Sequence, residues 1–446
     1  MASTLPGDII YLIVEILGQD KDFNSLFQCA VSAKCFTEQA IPTLYKSHEL
    51  SPVRGGGIEL GTLDSSHTRR KWTSMWRSIV LSTLDQTYLP YYSYIRYLDL
   101  NDLSNLLSHS SFTGKIKDEF FTPELQDLVS HDYELKGNKR LRSLRNLPDN
   151  DWILSKIGTG PRSIRAIGTQ LKSLKELKLT SLGIEAIAEL PSLTAPPVLE
   201  VLVLTDSIPA ARNEDFYSTV KGVADWIGGC KALRHLELRR FVDDTFLLAR
   251  VLVAEDMHLL NLSLTGYTMA GSRDFHRALA SQDSLQRLSL RGEGCEIPED
   301  NELLVQAICQ LNNLRELELK DISDYFTPDH LMSFTPHLSH LEKLWIGGDL
   351  FNDDVWNAFL CLPKLRSLAI HALSEFTAQG ILDFIAQLGP GNRGMSLSIL
   401  NSITPSLTEE AQSLIRNILK HNLDGTFDFG LAQEEFSDTD SEGISD

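Results

Sequence analysis

Between residues 171 and 370, apolar residues recur in the pattern L-x-x-L-x-L. The central leucines of successive copies, from Leu177 to Leu368, are 24 to 34 residues apart. The last two leucines of each copy alternate with polar residues, which predicts a short strand with one apolar face. The eight copies are LKSLKELKL (171–179), LEVLVL (199–204), LRHLEL (233–238), LNLSL (260–264), LQRLSL (285–290), LRELEL (314–319), LEKLWI (341–346) and LRSLAI (365–370).

Segments with helical spacing separate these strands. Each strand and its helix are too small to bury their own apolar faces, so we expect them to stack in parallel around one continuous core. The predicted helices are VADWIGGC (223–230), DTFLLARVLVA (244–254), DFHRALA (274–280), NELLVQAICQ (301–310), DHLMSF (329–334), DVWNAFL (354–360) and GILDFIAQL (380–388).

This pattern resembles the leucine-rich-repeat family. The resemblance implies an α/β solenoid with parallel strands on the concave side and helices on the convex side. The chain departs from the family three residues after the last strand leucine, where Asn or Cys is usual and this sequence has Leu182, Phe241, Tyr267 or Ile322, for example. The ladder of asparagines is therefore missing, and we expect irregular repeat turns.

We place the solenoid at residues 94–425. YIRYLDL (94–100) predicts one earlier strand, whereas residues 101–165 are irregular and contain a possible short helix at 123–129. TEEAQSLIRNILKHN (408–422) predicts a helix that caps the stack. Residues 426–446 include EEFSDTDSEGISD, with six acids and no base, and their composition predicts a disordered tail.

The N-terminal stretch LPGDIIYLIVEIL predicts a helix that is apolar on nearly every side, although a surface helix normally keeps a polar face. DFNSLFQCAVSAKCF (22–36) and TEQAIPTLYKSHEL (37–50) predict further helical pieces. A unit of about fifty residues buries only part of its surface alone, so we expect exposed apolar residues that mark an interaction site.

LPGDIIYLIVEIL, VSAKCF and LYKSHEL together resemble the F-box motif over residues 1–50. Phe36 stands where many members have tryptophan. An F-box followed by leucine-rich repeats is a known arrangement in this family, and this sequence resembles its fungal members. The family binds a Skp-type adaptor and, through it, a cullin scaffold of a ubiquitin ligase. The resemblance implies adaptor contacts by Leu5, Pro6, Ile9, Ile13, Ile16, Leu26 and Val31.

Two function classes therefore remain open. The chain is either the substrate-recognition subunit of an SCF-type ubiquitin ligase, or a leucine-rich-repeat scaffold whose N-terminal helices only cap the solenoid. Residues 51–93 form a linker and a connecting helix, KWTSMWRSIVLSTL (71–84), whose apolar side chains are expected to pack in the core.

Residues between the strand leucines point away from the core. Arg239, Arg287 and Arg291 are predicted to form a positive cluster on this face, with Lys343 and Trp345 beside them. Arginine and tryptophan are enriched at binding hot spots, so these five residues are the candidate contacts for an unknown protein target. The alternative is a solvated face on which glutamates of the same strands pair with the cations.

Charge and composition argue against several classes of binding partner and location. The formal net charge of -19 argues against a nucleic-acid surface. The longest apolar stretches are too short to span a membrane, and the N-terminus lacks the basic region of a secretion signal. The six cysteines show no CxxC pair, which favours reduced thiols in the cytoplasm or nucleus.

The sequence contains no catalytic motif that we recognise, such as HExxH, GxSxG or a Walker lysine, and no cluster with metal-ligand spacing. We therefore expect a binding protein without enzymatic activity, cofactor or metal.

Overall fold

The structure is a computed structural model of the 446-residue chain. It divides into two compact units, Met1–Val242 and Asp243–Asp446. The structure describes residues 6–20, 22–46, 65–83, 85–110, 112–123, 125–126, 164, 168, 171–206, 214–241, 244–269, 271–292, 299–322, 326–402 and 407–431.

The first unit begins with three helices, α1 (Gly7–Gln19), α2 (Phe23–Ser32) and α3 (Lys34–Lys46). After the connecting helix α4 (Ser65–Thr83), strands and helices alternate through the rest of the unit. These elements are β1 (Tyr97–Asp99), α5 (Leu100–Ser108), α6 (Gly114–Phe120), β2 (Glu176–Leu182), α7 (Ile184–Ile187), β3 (Val201–Asp206), α8 (Glu214–Gly228) and β4 (His235–Arg239).

The second unit continues the alternation in described residues up to 431. Its elements are α9 (Asp244–Leu252), β5 (Asn261–Tyr267), α10 (Arg273–Leu279), β6 (Arg287–Gly292), α11 (Glu299–Ile308), β7 (Glu316–Lys320), α12 (Pro328–Phe334), β8 (Lys343–Asn352), α13 (Trp356–Leu360), β9 (Ser367–Glu375), α14 (Ala378–Gln387), β10 (Ser396–Ser402), α15 (Glu409–Leu423) and β11 (Thr426–Leu431). Short 3₁₀ turns also lie between several of them.

Within each unit the strands are parallel, and their order follows the sequence: β1 to β4 in the first unit and β5 to β11 in the second. The central leucines stand in register, so that Leu288 pairs with Leu317 and Leu317 with Leu344. These leucines are almost fully buried. The α/β repeat stack expected from the L-x-x-L-x-L pattern is therefore confirmed.

Register is set where each strand begins. The carbonyl oxygen of Gln286 accepts hydrogen bonds from the backbone amides of Arg315, at 2.8 Å, and Glu316, at 3.0 Å. The carbonyl oxygen of Arg315 accepts in the same way from Glu342 and Lys343. Because each repeat fixes the first residues of the next, the leucines that follow are brought into line.

At four of the eight repeats, a buried side chain takes the place of the missing asparagine. These are Leu182, Phe241, Tyr267 and Ile322, whereas Leu373 at the same position is 46% exposed. A side-chain amide takes part at another point of the repeat, before the strand: Gln282 Nε2 donates to the carbonyl oxygens of Leu252, at 2.9 Å, and Met257, at 3.1 Å. The turns are thus held by apolar burial, with buried amides added at single repeats.

Two sequence predictions need correction or extension. The helix predicted at 408–422 is present as α15, but strand β11 follows it, so residues 426–431 belong to the stack and not to the tail. Strand β10 has a core-facing pattern of Met395, Leu397 and Ile399, which breaks the L-x-x-L-x-L spacing and was missed. Residues 432–446 lie outside the described residues.

The irregular region contains α5 and α6, which the sequence pattern did not predict. Of the helix predicted at 123–129, the residues that the structure describes (123, 125 and 126) are helical. The described part of the chain contains no helix with the length and apolar character that crossing a membrane requires.

Candidate functional site

The three N-terminal helices enclose a small core of their own. Val14, Leu26, Ala30 and Ala40 are buried in it, and partly buried apolar residues of all three helices pack around them. Helix α2 begins where Asp22 accepts a hydrogen bond from the Ser25 amide at 3.0 Å. Asp22 is thus the N-cap of α2, which turns the chain back after α1 and brings the apolar faces of the two helices together.

The outer side of this small unit is also apolar. Ile9, Ile13 and Ile16 of α1 are 39%, 36% and 55% exposed, and Val31 of α2 is 62% exposed. Helix α1 buries only Ile10 and Val14. The sequence of α1 is apolar on several sides. Because one side faces the core of the three-helix unit, apolar residues on the remaining sides are exposed to solvent. We call the exposed residues Ile9, Tyr11, Leu12, Ile13, Ile16, Phe27 and Val31 the N-terminal apolar surface.

Four of the seven residues of the adaptor prediction, Ile9, Ile13, Ile16 and Val31, lie on this surface. Pro6 is exposed at the N-cap position of α1. Leu5 lies outside the described residues. Leu26 must be corrected, because it is fully buried inside the three-helix core and is not available to a partner. Sequence reasoning missed Tyr11, Leu12 and Phe27, although their spacing along α1 and α2 carries the signal.

Helix α3 fastens the small unit to the connecting helix. The Tyr45 hydroxyl lies 2.6 Å from the Ser78 hydroxyl on α4, and the Tyr45 ring lies 4.8 Å from that of Tyr91. Burial raises the pKa of Tyr45 to about 12. On the α2 side, Lys71 Nζ donates to Asn24 Oδ1 at 2.7 Å. These contacts leave the N-terminal apolar surface uncovered, since none of its residues takes part in them.

The connecting helix α4 is held in turn by the first repeats of its unit. Trp72 and Trp76 both donate their indole N–H to Asp102 Oδ2, at 2.6 Å and 2.8 Å. Arg77 donates to the carbonyl oxygen of Glu119 at 2.6 Å. The prediction that the apolar side chains of this helix pack in a core is confirmed for Trp76, Ile79 and Val80, which are buried.

The second candidate surface is the strand face of the second unit that points away from the leucine core, called here the open face. Arg287 Nε on β6 and Lys343 Nζ on β8 lie 3.2 Å and 3.4 Å from the same carboxylate oxygen, Oε1 of Glu316 on β7. Arg291 Nε lies 3.7 Å from Asp321 Oδ2. The cations predicted for target binding are therefore brought together, but each has an acidic neighbour.

These cations remain accessible. The side chains of Arg287, Arg291 and Lys343 are 57–61% exposed. Exposed ion pairs contribute only about 0–1 kcal/mol, so an incoming anion can replace the intramolecular acid at little cost. The pairing favours the alternative of a mixed-charge face without removing the binding hypothesis.

Trp345 lies at the centre of the open face. Its ring centroid is 5.5 Å from that of His371 on β9, and Lys320 Nζ lies 5.4 Å from the ring centroid on the β7 side. A cation above an indole face is attracted by the ring electrons. A Cβ at Gly347, which follows on the same strand, would lie 3.9 Å from Trp345 Cζ3, so glycine places no side chain against this edge of the indole.

Arg239 is the last residue of β4 and belongs to the first unit. Its Nε donates to Glu237 Oε1 at 2.6 Å. Hydrogen bonds from His235 and then Arg239 lower the pKa of Glu237 to about 2, so this carboxylate stays charged beside them. The predicted clustering of Arg239 with Arg287 and Arg291 joins residues of different units and stays a prediction.

Comparison with known proteins gives a fold-level likeness. Neither the protein-family models nor the curated proteins give a match to this chain. Among solved structures, the crystal structure of a TLR13–ssRNA13 complex is similar at 16% identity with a TM-score of 0.35. The match covers 59% of this chain and 37% of that one, and a likeness this distant carries no argument about this chain.

The two surfaces are suited to binding. Among the residues that the structure describes, no group of three or more His, Cys, Asp or Glu side chains is placed to hold a metal ion. What the described geometry offers is an apolar helical surface at the N-terminus and a mixed aromatic and cationic strand face in the second unit.

Proposed function

We propose that this chain is a protein-interaction scaffold that serves as the substrate-recognition subunit of an SCF-type ubiquitin ligase. In this proposal the N-terminal apolar surface binds a Skp-type adaptor, and through it a cullin, while the open face binds the protein to be modified. The chain supplies recognition and no chemistry of its own, and it works in the cytoplasm or nucleus.

The exposure of Ile9, Ile13 and Ile16 is the observation that carries the proposal. Covering a half-exposed isoleucine contributes roughly 1 kcal/mol, so several together supply a docking energy that a partner can use. The small unit has already used its other side for its own core, around Val14 and Leu26. The resemblance of residues 1–50 to the F-box motif adds the identity of the partner.

Co-expression of the full chain with a Skp-type adaptor tests this proposal. We expect a complex that survives size exclusion, and we expect Ile13→Lys to weaken it at least tenfold, because a lysine charge would be buried against apolar side chains. Ile184→Lys is the matched control, since Ile184 is a helical isoleucine of similar exposure, at 43%, outside the N-terminal helices. The control should leave the complex unchanged.

The outcomes separate the two function classes. Absence of a complex with a folded chain, or a complex equally weakened by Ile13→Lys and Ile184→Lys, rejects the adaptor role. The contacts of Tyr45 with Ser78 and Tyr91 would then account for the N-terminal helices as a cap on the repeat stack. That result would leave a scaffold without a link to the ligase.

A further inference from the structure

The open face of the second unit carries an exposed apolar patch. Trp345 and His371 form its centre, and Leu350 and Leu373 beside them are 47% and 46% exposed. Between Gly348 and Phe351 the register shifts, so that residues 349 and 350 both lie opposite Leu373. The four side chains Trp345, Leu350, His371 and Leu373, called here the tryptophan patch, thus lie on adjacent strands β8 and β9.

Cations lie on one side of this patch. Lys343 precedes Trp345 on the same strand face, Lys320 is on β7, and Arg287 and Arg291 are on β6. The open face therefore changes from apolar at β9 to cationic at β6. On a chain of net charge -19, four exposed or half-exposed cations on neighbouring strands stand out.

The chain itself contains a segment of complementary chemistry, with one aromatic residue among acids. Strand β11 ends at Leu431, and because the strands are parallel, this end lies at the same edge of the sheet as Leu350 and Leu373. Residues 432–446 contain the aromatic residue Phe436, with Glu434 and Glu435 before it, Asp438, Asp440, Glu442 and Asp446 after it, and no basic residue.

The distances across the strands allow these contacts. From β11 to β8 are three strand spacings, about 14 Å, and the five residues from Leu431 to Phe436 reach about 16 Å when extended. From β8 to β6 are two more spacings, about 10 Å, which the residues from Phe436 to Asp440 cover. Phe436 can therefore reach the apolar patch from β11, and the acids after it can reach the cations.

We propose that residues 432–446 bind across the open face of their own repeat stack. Phe436 packs on the tryptophan patch, and the carboxylates of Asp438, Asp440 and Glu442 pair with Lys343, Lys320 and Arg291. Charge-assisted contacts to carboxylates are stronger than neutral hydrogen bonds. The present partners of these cations, Glu316, Glu318 and Asp321, form partly exposed ion pairs that can be exchanged at little cost. The segment covers the surface assigned to target binding, so a target must displace it or carry the same acidic and aromatic chemistry.

Carbodiimide cross-linking of the full chain tests this contact, since it joins a lysine to a carboxylate only where they touch. Peptide mass spectrometry should detect links from Lys343 and Lys320 to Asp438, Asp440 or Glu442. The link from Lys343 to Glu316, whose atoms are 3.4 Å apart, is the internal control for lysine reactivity. Lys364, which is exposed outside the open face, is the comparison lysine and should give at least fivefold less tail link.

Two full-chain variants sharpen the result. Phe436→Ala alters only the tail, and Trp345→Ala alters only the patch; each should lower the Lys343–tail link at least fivefold and leave Lys343–Glu316 unchanged. Mixing light and ¹⁵N-labelled chains identifies the occupant, because links within one chain carry a single isotope composition. Tail links that join light to heavy chains, that reach Lys364 equally, or that are missing while Lys343–Glu316 forms, overturn the proposal. These cross-links do not depend on adaptor binding by residues 9–31, so this proposal and the adaptor proposal can fail separately.

Discussion

The buried indole of Trp76 donates its Nε1 hydrogen to Asp102 Oδ2 at 2.8 Å, and through this bond α4 is tied to the first repeats. Trp72 donates to the same oxygen at 2.6 Å. A carboxylate that is only 2% exposed is stabilised by such donors. The N-terminal helices are attached to this same α4, so Asp102 supports the position of the N-terminal apolar surface.

Asp102→Ala should therefore lower the free energy of unfolding of the full chain by about 2–4 kcal/mol, because it leaves two indole N–H groups without their acceptor. Asp102→Asn keeps an acceptor oxygen and should cost less. Urea unfolding followed by tryptophan fluorescence measures the change. Asp118→Ala, an exposed carboxylate on α6, is the control and should change stability by less than about 0.5 kcal/mol. Equal effects of the Asp102 and Asp118 substitutions would contradict this role.

Gln282 provides a second prediction, since its amide bridges two repeats. It donates to the carbonyl oxygens of Leu252 and Met257 and accepts from the Leu259 amide at 3.2 Å. Gln282→Ala should destabilise the chain by about 2–3 kcal/mol, because three buried backbone groups lose their partner. The urea midpoint checks this, with the exposed Gln379→Ala as control. If Gln282→Ala behaves like Gln379→Ala, the amide bridge has no energetic role.

His276 predicts a pH dependence of stability. Burial lowers its pKa to about 4 from the usual 6.5, and its Nε2 lies 2.6 Å from the Tyr267 hydroxyl. As the pH falls below 6.5, His276 is protonated in the unfolded chain, whereas in the folded chain it stays neutral until about pH 4. Within this window, stability should decrease by up to about 1.4 kcal/mol per pH unit.

His276→Gln should flatten this dependence between pH 6.5 and 4.5, even though it lowers stability at neutral pH. His337→Gln, an exposed histidine that ends a 3₁₀ turn, should leave the slope as it is. Urea midpoints at a series of pH values give both slopes. An unchanged slope in His276→Gln would show that another group controls acid stability in this range.

The sequence predicted the repeats far better than it predicted their ends. The copies from Leu177 to Leu368 form strands whose alternating leucines are buried. The spacing of the leucines in the sequence predicts this alternation directly. Strand β11 escaped prediction because its face is built from Phe427 and Phe429. The pattern of leucines carries no information about such a strand.

The candidate surfaces could be predicted only in part, for a physical reason. Ile9, Ile13, Ile16 and Val31 lie on the exposed side, whereas Leu26 is buried. The sequence of a helix that is apolar on several sides does not reveal which side packs against its neighbours. The acids that pair with Arg287 and Lys343 depend on parallel register, which brings Glu316 between them. The sequence identified glutamates of the same strands as alternative partners of these cations, but it could not decide between ion pairing and target binding.

The buried apolar residues that follow the strands have a consequence for how this molecule can change. A hydrogen-bonded ladder requires one atom at one place in every repeat, whereas the side chains of Leu182, Phe241 and Ile322 need only a volume to fill. Dispersion and burial have no preferred direction, so a loop anchored in this way can gain or lose residues without breaking a specific bond. Insertions directly after these anchors should be tolerated, which suits a molecule whose repeats already differ in length by up to ten residues, from 24 to 34.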